Sequence, residues 1–237
     1  MSFINFIQNF GIQFLLSIII GYLFGSISFS IIFTKQFERT DIRNMGSGNA
    51  GFTNVLRSAG VLPSLLTLVF DFLKCAIAIY IANIVFYLIS GVNTPNFIAL
   101  QTNIYLTGFA CIVGHIYPCF FGFKGGKGVL TAASFVLVSD WRVFLICISI
   151  FLIVLYFSRI VSLSSIIAVG SLPIVVFIVK FVFDYLPGIE SNFSLSYVIL
   201  ATVFYLLIAT LIIFKHKNNI HRLLLHEEKK IKPKSKS

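Results

Sequence analysis

The 237-residue chain is 58% hydrophobic and only 11% charged, yet carries a formal net charge of +10. Its mean hydropathy is +0.97. Soluble domains carry about 25% charged residues, so this composition excludes a water-soluble globule and points to a bilayer as solvent.

Apolar runs near 20 residues, rather than alternating stretches of about 10, imply helices instead of barrel strands. The expected fold is an all-α polytopic transmembrane helical bundle, a single integral membrane domain over residues 1–237. The first run, roughly 12–33, is too long for the core of a cleavable signal and lacks a basic leader, so it reads as a retained span. Further runs follow at 61–90, 101–121, 128–139, 143–157, 162–183 and 195–214. The runs at 128–139 and 143–157 are short and joined by Ser139, Asp140, Trp141 and Arg142, which leaves five or six spans open beside seven. The run at 61–90 holds Asp71 and Lys74, spaced to pair across one helical turn. Charge inside a span is costly, and two roles stay open for it: holding helices together or touching substrate. Cys75, Cys111, Cys119 and Cys147 all lie in apolar runs, match no zinc or thioredoxin spacing, and read as small core residues.

Charge tests the alternation. With seven spans and a cytoplasmic C-terminus, 15 of the 18 basic residues fall inside: Lys35, Arg39, Arg43, Arg57, Lys124, Lys127, Arg159 and the eight from Lys215 onward. Asp140, Asp184 and Glu190 fall outside, as does the N-terminus. This is the positive-inside pattern. The stretch 229–237 reads as a disordered basic tail. On so apolar a chain a basic face suits anionic headgroups or phosphorylated substrates, not nucleic acid. No internal repeat is visible, which removes support for the inverted-repeat transporters.

Three loops and the start of the tail are richer than connectors need to be. Between Asp41 and Arg57, Gly46, Gly48 and Gly51 free the backbone to approach a ligand, and successive N–H groups in such turns form anion-binding nests. Ser47, Asn49, Thr53 and Asn54 add neutral polar groups there; Arg43 and Arg57 add charge, and a guanidinium forks onto phosphate. Next, Gly114, His115 and Pro118 precede Lys124-Gly-Gly-Lys127-Gly128 at a helix entry. Lysines among glycines at a helix N-terminus suit phosphate, although the Walker A spacing is absent. The third loop, Ser158 to Ser165, is weaker, because Ser162 and Ser165 can bond backbone or a neighbouring helix. In the tail, His216 and Asn219 share a helix face at the membrane exit, where a histidine can serve as a base near neutral pH.

Together these segments resemble the bacterial acyl-phosphate–glycerol-3-phosphate acyltransferase family. The resemblance runs through Gly25-Ser26, Gly46 to Arg57, Asp71-Phe-Leu-Lys74, Gly114 to Pro118, Lys124 to Gly128, Ser158 to Leu163, and His216, Asn219, Ile220, Arg222 to Leu224 and Glu228. Their order across seven spans makes it specific. Ser28 and Ser30 stand where the family usually has Pro and Gly, and Cys75 and His226 where it usually has Gly. The resemblance implies an inner-membrane enzyme with a cytoplasm-facing site and neither cofactor nor metal. It implies transfer of a fatty acyl group from acyl phosphate to the 1-hydroxyl of glycerol 3-phosphate, giving lysophosphatidic acid and phosphate, the first acylation of phospholipid synthesis. It also implies roles. Ser47 with Gly46 and Gly48 holds acyl phosphate. Arg57 and Lys127, with Lys124 nearby, bind phosphate. Asn49, Thr53 and Asn54 shape the first loop. His216 and Asn219 orient glycerol phosphate and its hydroxyl, and Ser162 and Ser165 are further candidates for substrate binding. The base is either His216 or a substrate phosphate oxygen. Acyl phosphate is already activated and Ser47 has no base evident in sequence, so transfer is expected to be direct. The rival readings are a transporter of an anionic phosphorylated metabolite and a structural protein with lipid-binding loops.

Overall fold

A computed structural model describes residues 3–90, 96–187 and 193–230. Glu190 and residues 231–237 of the expected basic tail lie outside the described residues. The described chain is helical, and six of its helices are long and apolar enough to cross a membrane: Ile4–Glu38, Val61–Ser90, Phe97–Phe121, Trp141–Ser158, Val161–Tyr185 and Leu195–Lys215. The chain forms two compact units, Met1–Ser139 and Asp140–Ser237.

The first unit opens with α1 (Phe3–Ser26) and α2 (Phe29–Glu38). The sequence suggests one unbroken span here, but the helix breaks at Ile27 and Ser28, and Ser28 is extended at φ −96° and ψ 95°. The break exposes carbonyls that lipid cannot satisfy. Lys74 of α4 (Val61–Ser90) does so instead, its Nζ donating to the carbonyls of Gly25 at 3.1 Å and Ile27 at 2.8 Å. Beside it, the hydroxyls of Ser28 and Ser30 bond each other at 3.1 Å.

Helix α5 (Phe97–Ile116) lies against α1 at backbone distance. A Cβ on Gly21 or Gly25 would collide with the carbonyl of Thr107 or Cys111. Small residues let helices approach this closely in lipid, where dispersion and polar ties replace the hydrophobic effect. One such tie runs Ser17 to Asn103 to Asn83, joining α1, α5 and α4. A stack of Phe10, Phe14 and Phe86 closes the α1–α4 seam farther along.

Between these spans sit the short α3 (Phe52–Ser58) and, after a glycine-rich loop, α6 (Val129–Ser139). The run expected at 128–139 is therefore a helix, but one of 11 residues. At 1.5 Å per residue it reaches about 16 Å, roughly half the hydrocarbon thickness. Its length is set at both ends. Gly126 is bonded back to α5, and Asp140 caps the next helix by accepting from the Arg142 amide at 2.9 Å.

The second unit contains α7 (Trp141–Ser158), α8 (Val161–Val179), α9 (Leu195–Lys215) and α10 (Lys217–Leu224). Helix α8 relaxes into a π-helical turn, Lys180–Tyr185. That turn presents Lys180 and Asp184 to the start of α7. Arg142 forks onto Asp184 at 2.8 and 3.0 Å and reaches Asp140 at 2.7 Å, while Lys180 donates to Asp140 at 2.6 Å. Burial pushes the Asp140 carboxyl up, but the bonds from Arg142 and Lys180 outweigh it and hold it at about 2. Each buried charge thus has opposite partners, the condition for tolerating charge at this depth.

Candidate active site

In the first unit the glycine loop folds around Asn54. This buried amide donates to the carbonyls of Met45 at 2.9 Å and Ile42 at 3.3 Å, and its Oδ1 accepts from the Ser47 amide at 2.9 Å. Gly46, at φ 57°, adopts a left-handed turn that a side chain strains, and a Cβ there would also meet Asn54 Oδ1 and Ser58 Oγ. The Gly48 amide donates to Met45 O at 2.9 Å. Two amides of the expected nest are thus engaged within the loop, and the exposed Ser47 side chain becomes its outward group. Asn49 and Thr53 are half-buried, and Arg57 is exposed on the last turn of α3.

The sequence presents Arg43 only as added charge. Its guanidinium instead bonds Asp41 through two nitrogens at 3.0 and 2.8 Å and donates to Phe121 O at 2.6 Å. The Arg43 guanidinium holds the Asp41 carboxyl below its ordinary value, and Asp41 in turn raises Arg43. Arg43 is therefore a strut between the two basic loops. Its contact with Lys124 O is longer, 3.4 Å.

The second loop turns back on the end of α5. The Gly125 amide donates to Ile116 O and the Gly126 amide to His115 O, each at 3.1 Å. A Cβ on Gly126 would overlap both His115 Nε2 and Ala50 O, so this glycine is where the two loops touch. Exposed Lys124 and half-buried Lys127 flank the contact. Beneath it, Lys74 Nζ lies 2.9 Å from Asp71 Oδ1 and 2.9 Å from His115 Nδ1.

In the second unit His216 ends α9, buried at 2% exposure. Its Nδ1 lies 2.8 Å from Ile212 O. A carbonyl can only accept, so Nδ1 carries the proton and Nε2 is the basic nitrogen of the neutral ring. Asn219, Ser162 and Arg222 converge on a residue that sequence reading did not place in the site, Glu228. Oε1 accepts from Asn219 at 2.7 Å and Ser162 at 2.8 Å, and Oε2 accepts from Arg222 Nε at 2.7 Å. Burial raises the Glu228 carboxyl, but these three donors lower it further, so it stays ionised. Ser165 donates to Val161 O at 2.9 Å. The signal for Glu228 was available, since it is an acid placed among the basic residues of the tail.

The glycerol-3-phosphate acyltransferase family model matches residues 15–226. A glycerol-3-phosphate acyltransferase of Syntrophomonas wolfei subsp. wolfei is 38% identical over 218 residues, covering 92% of this chain and 97% of the relative. One from Prochlorococcus marinus is 38% identical over 217 residues, with 92% and 97% covered. Among solved structures, this chain is similar to PlsY (YgiH), an integral membrane glycerol 3-phosphate acyltransferase. Its glycerol 3-phosphate form gives a TM-score of 0.71 at 36% identity, covering 92% of this chain and 96% of that one. The lysophosphatidic acid form gives 0.69 at 35% identity, with 92% and 95% covered. The chain is an integral membrane protein and belongs to the glycerol-3-phosphate acyltransferase family.

Proposed function

We propose that the protein moves a fatty acyl group from acyl phosphate to the 1-hydroxyl of glycerol 3-phosphate. The products are lysophosphatidic acid and inorganic phosphate. The observation that carries this reading is the meeting of two glycine-rich basic loops at Gly126 and Ala50, braced by Arg43. Two phosphate-suited loops in contact fit a donor and an acceptor that each bear phosphate.

Acyl phosphate needs little activation, because phosphate is already a good leaving group. Catalysis then reduces to positioning and charge stabilisation. Ser47 with Gly46 and Gly48 addresses the acyl phosphate, within a loop shaped by Asn49, Thr53 and Asn54. Arg57, Lys124 and Lys127 offset the phosphate charge, including the charge that grows on the leaving group. His216 and Asn219 orient the glycerol hydroxyl, and Ser162 and Ser165 steady the first turn of α8. The hydroxyl oxygen bonds to the acyl carbon, the carbon–phosphate oxygen bond breaks, and the proton passes to His216 Nε2 or a phosphate oxygen. The Ser47 hydroxyl has no base bonded to it among the described residues, which supports direct transfer.

The site faces the cytoplasm of a bacterial inner membrane in this reading, with the N-terminus outside. Purified protein given acyl phosphate and glycerol 3-phosphate is expected to release inorganic phosphate and lysophosphatidic acid, and to do neither with acyl-CoA as donor. Activity with acyl-CoA alone overturns the donor assignment. A stable acyl-Ser47 adduct trapped during turnover overturns direct transfer.

A further inference from the structure

The acyl-transfer reading makes no use of three buried polar residues of the first unit, Asp71, Lys74 and His115. They are 0%, 3% and 4% exposed. They form a chain, with Lys74 Nζ 2.9 Å from Asp71 Oδ1 and 2.9 Å from His115 Nδ1. A charge pair inside a span costs several kcal/mol unless it is fully paired, so apolar packing would anchor helices at less cost. Lys74, at its centre, also fills the break between α1 and α2, and His115, at one end, meets the basic loop.

The donor inventory fixes the ring. An ammonium has three hydrogens and no lone pair, so one hydrogen of Lys74 is shared among its four contacts, and toward His115 it can only donate, leaving Nδ1 as the acceptor. The proton of the neutral ring then sits on Nε2. That edge abuts Gly126, on the side where the Ala50 carbonyl also lies. The His115 carbonyl holds the same glycine through its amide at 3.1 Å. Gly126 is thereby seated from its amide and from its Cα, and Lys127 is the next residue.

We propose that Asp71, Lys74 and His115 are positioning residues that set the Lys124–Gly128 loop against the first loop. Asp71 pairs with Lys74, Lys74 fixes the tautomer and plane of His115, and His115 seats Gly126. The link to catalysis rests on the acyl-transfer reading; the link to loop geometry does not.

The test uses the full chain in lipid nanodiscs with two readouts, amide hydrogen exchange and steady-state kinetics. In H115A and K74M, exchange in peptides spanning 119–128 is expected to rise about tenfold, with the helices of the unit little changed. The KM for at least one phosphorylated substrate is expected to rise about tenfold, with a smaller fall in kcat. H115Q, which retains an N–H near the ring edge, is expected to recover most of both effects. N103A, in the buried Ser17–Asn103–Asn83 tie that touches neither loop, serves as control and is expected to lose stability without these changes. If H115A or K74M fails to fold, G126A carries the test, because its methyl must part Gly126 from both the ring and the Ala50 carbonyl and should raise the same local exchange. Unchanged exchange at 119–128 in folded variants overturns the proposal. So does exchange raised evenly through the unit, or the same KM shift in N103A. Wild-type protein that releases no phosphate defeats the acyl-transfer reading instead, and the exchange readout then decides the network alone.

Discussion

His216 is a residue whose proton is placed by one bond. With Nδ1–H given to Ile212 O, the ring offers Nε2 as acceptor. H216A and K127A are each expected to cut turnover by about 100-fold or more in folded protein, read as phosphate release. Near-normal rates from either undo that role. Glu228 makes a different prediction. Its folded pKa lies below the usual 4.5, so the stability it contributes is complete above that pH and is lost as pH falls through the folded value. E228Q is therefore expected to lower the melting temperature near pH 7 by about 3 °C and to flatten the acid limb of the stability profile. A thermal melt series from pH 7 to pH 3 reads both. Residue types in the loops were legible because glycine, lysine and histidine announce themselves. Whom each one bonds was not. Asn54 and Ser47 look alike as polar loop residues, yet one is pinned inside and the other exposed, and only the fold decides which.

At the scale of elements, six of the seven apolar runs correspond to helices long enough to cross a membrane, and the run at 128–139 to the 11-residue α6. The break in the first span was hidden, because Gly25, Ser26, Ile27 and Ser28 can continue a helix and the group that ends it lies on α4. The shortness of α6 was hinted at by length, and its cause, the return of Gly126 to α5, is a long-range bond. Arg43 belongs at this scale too, as a brace between loops. R43A is expected to leave Asp41 with the longer Lys35 pair at 3.6 Å, to loosen the Phe121 end of the second loop, and to cost about 2 kcal/mol in a denaturant or thermal titration. In the second unit, R142A removes the only cation that bonds Asp184 through two of its nitrogens among the described residues. The expected cost is about 3 kcal/mol, with loss of the π-helical turn, seen as faster exchange at 180–185.

For the whole molecule, charge alternation makes a directional prediction. Cysteines introduced at Ser47 or Lys217 in a chain with its native cysteines replaced are expected to react with impermeant maleimide from the cytoplasmic side, and one at Trp141 from the opposite side. Reversed labelling would overturn the orientation while leaving family membership intact. Composition was enough to require a membrane, since so little charge cannot cover a soluble surface. It could not resolve the chain into Met1–Ser139 and Asp140–Ser237, because that division lies in which helices touch and not in any change of residue content.

The lysine that fills the break after α1 also imposes an order on biogenesis. Its bond to Ile27 O spans 47 residues of chain. As the protein is made, the first span reaches the bilayer before its capping side chain exists, and lipid offers no substitute partner for the open carbonyls. The nascent segment is therefore best satisfied as a straight helix, and it bends only when α4 arrives. An insertion intermediate arrested before Lys74 is expected to expose Ser28 at a different membrane depth from the finished protein. This chain leaves the bend to be completed by assembly.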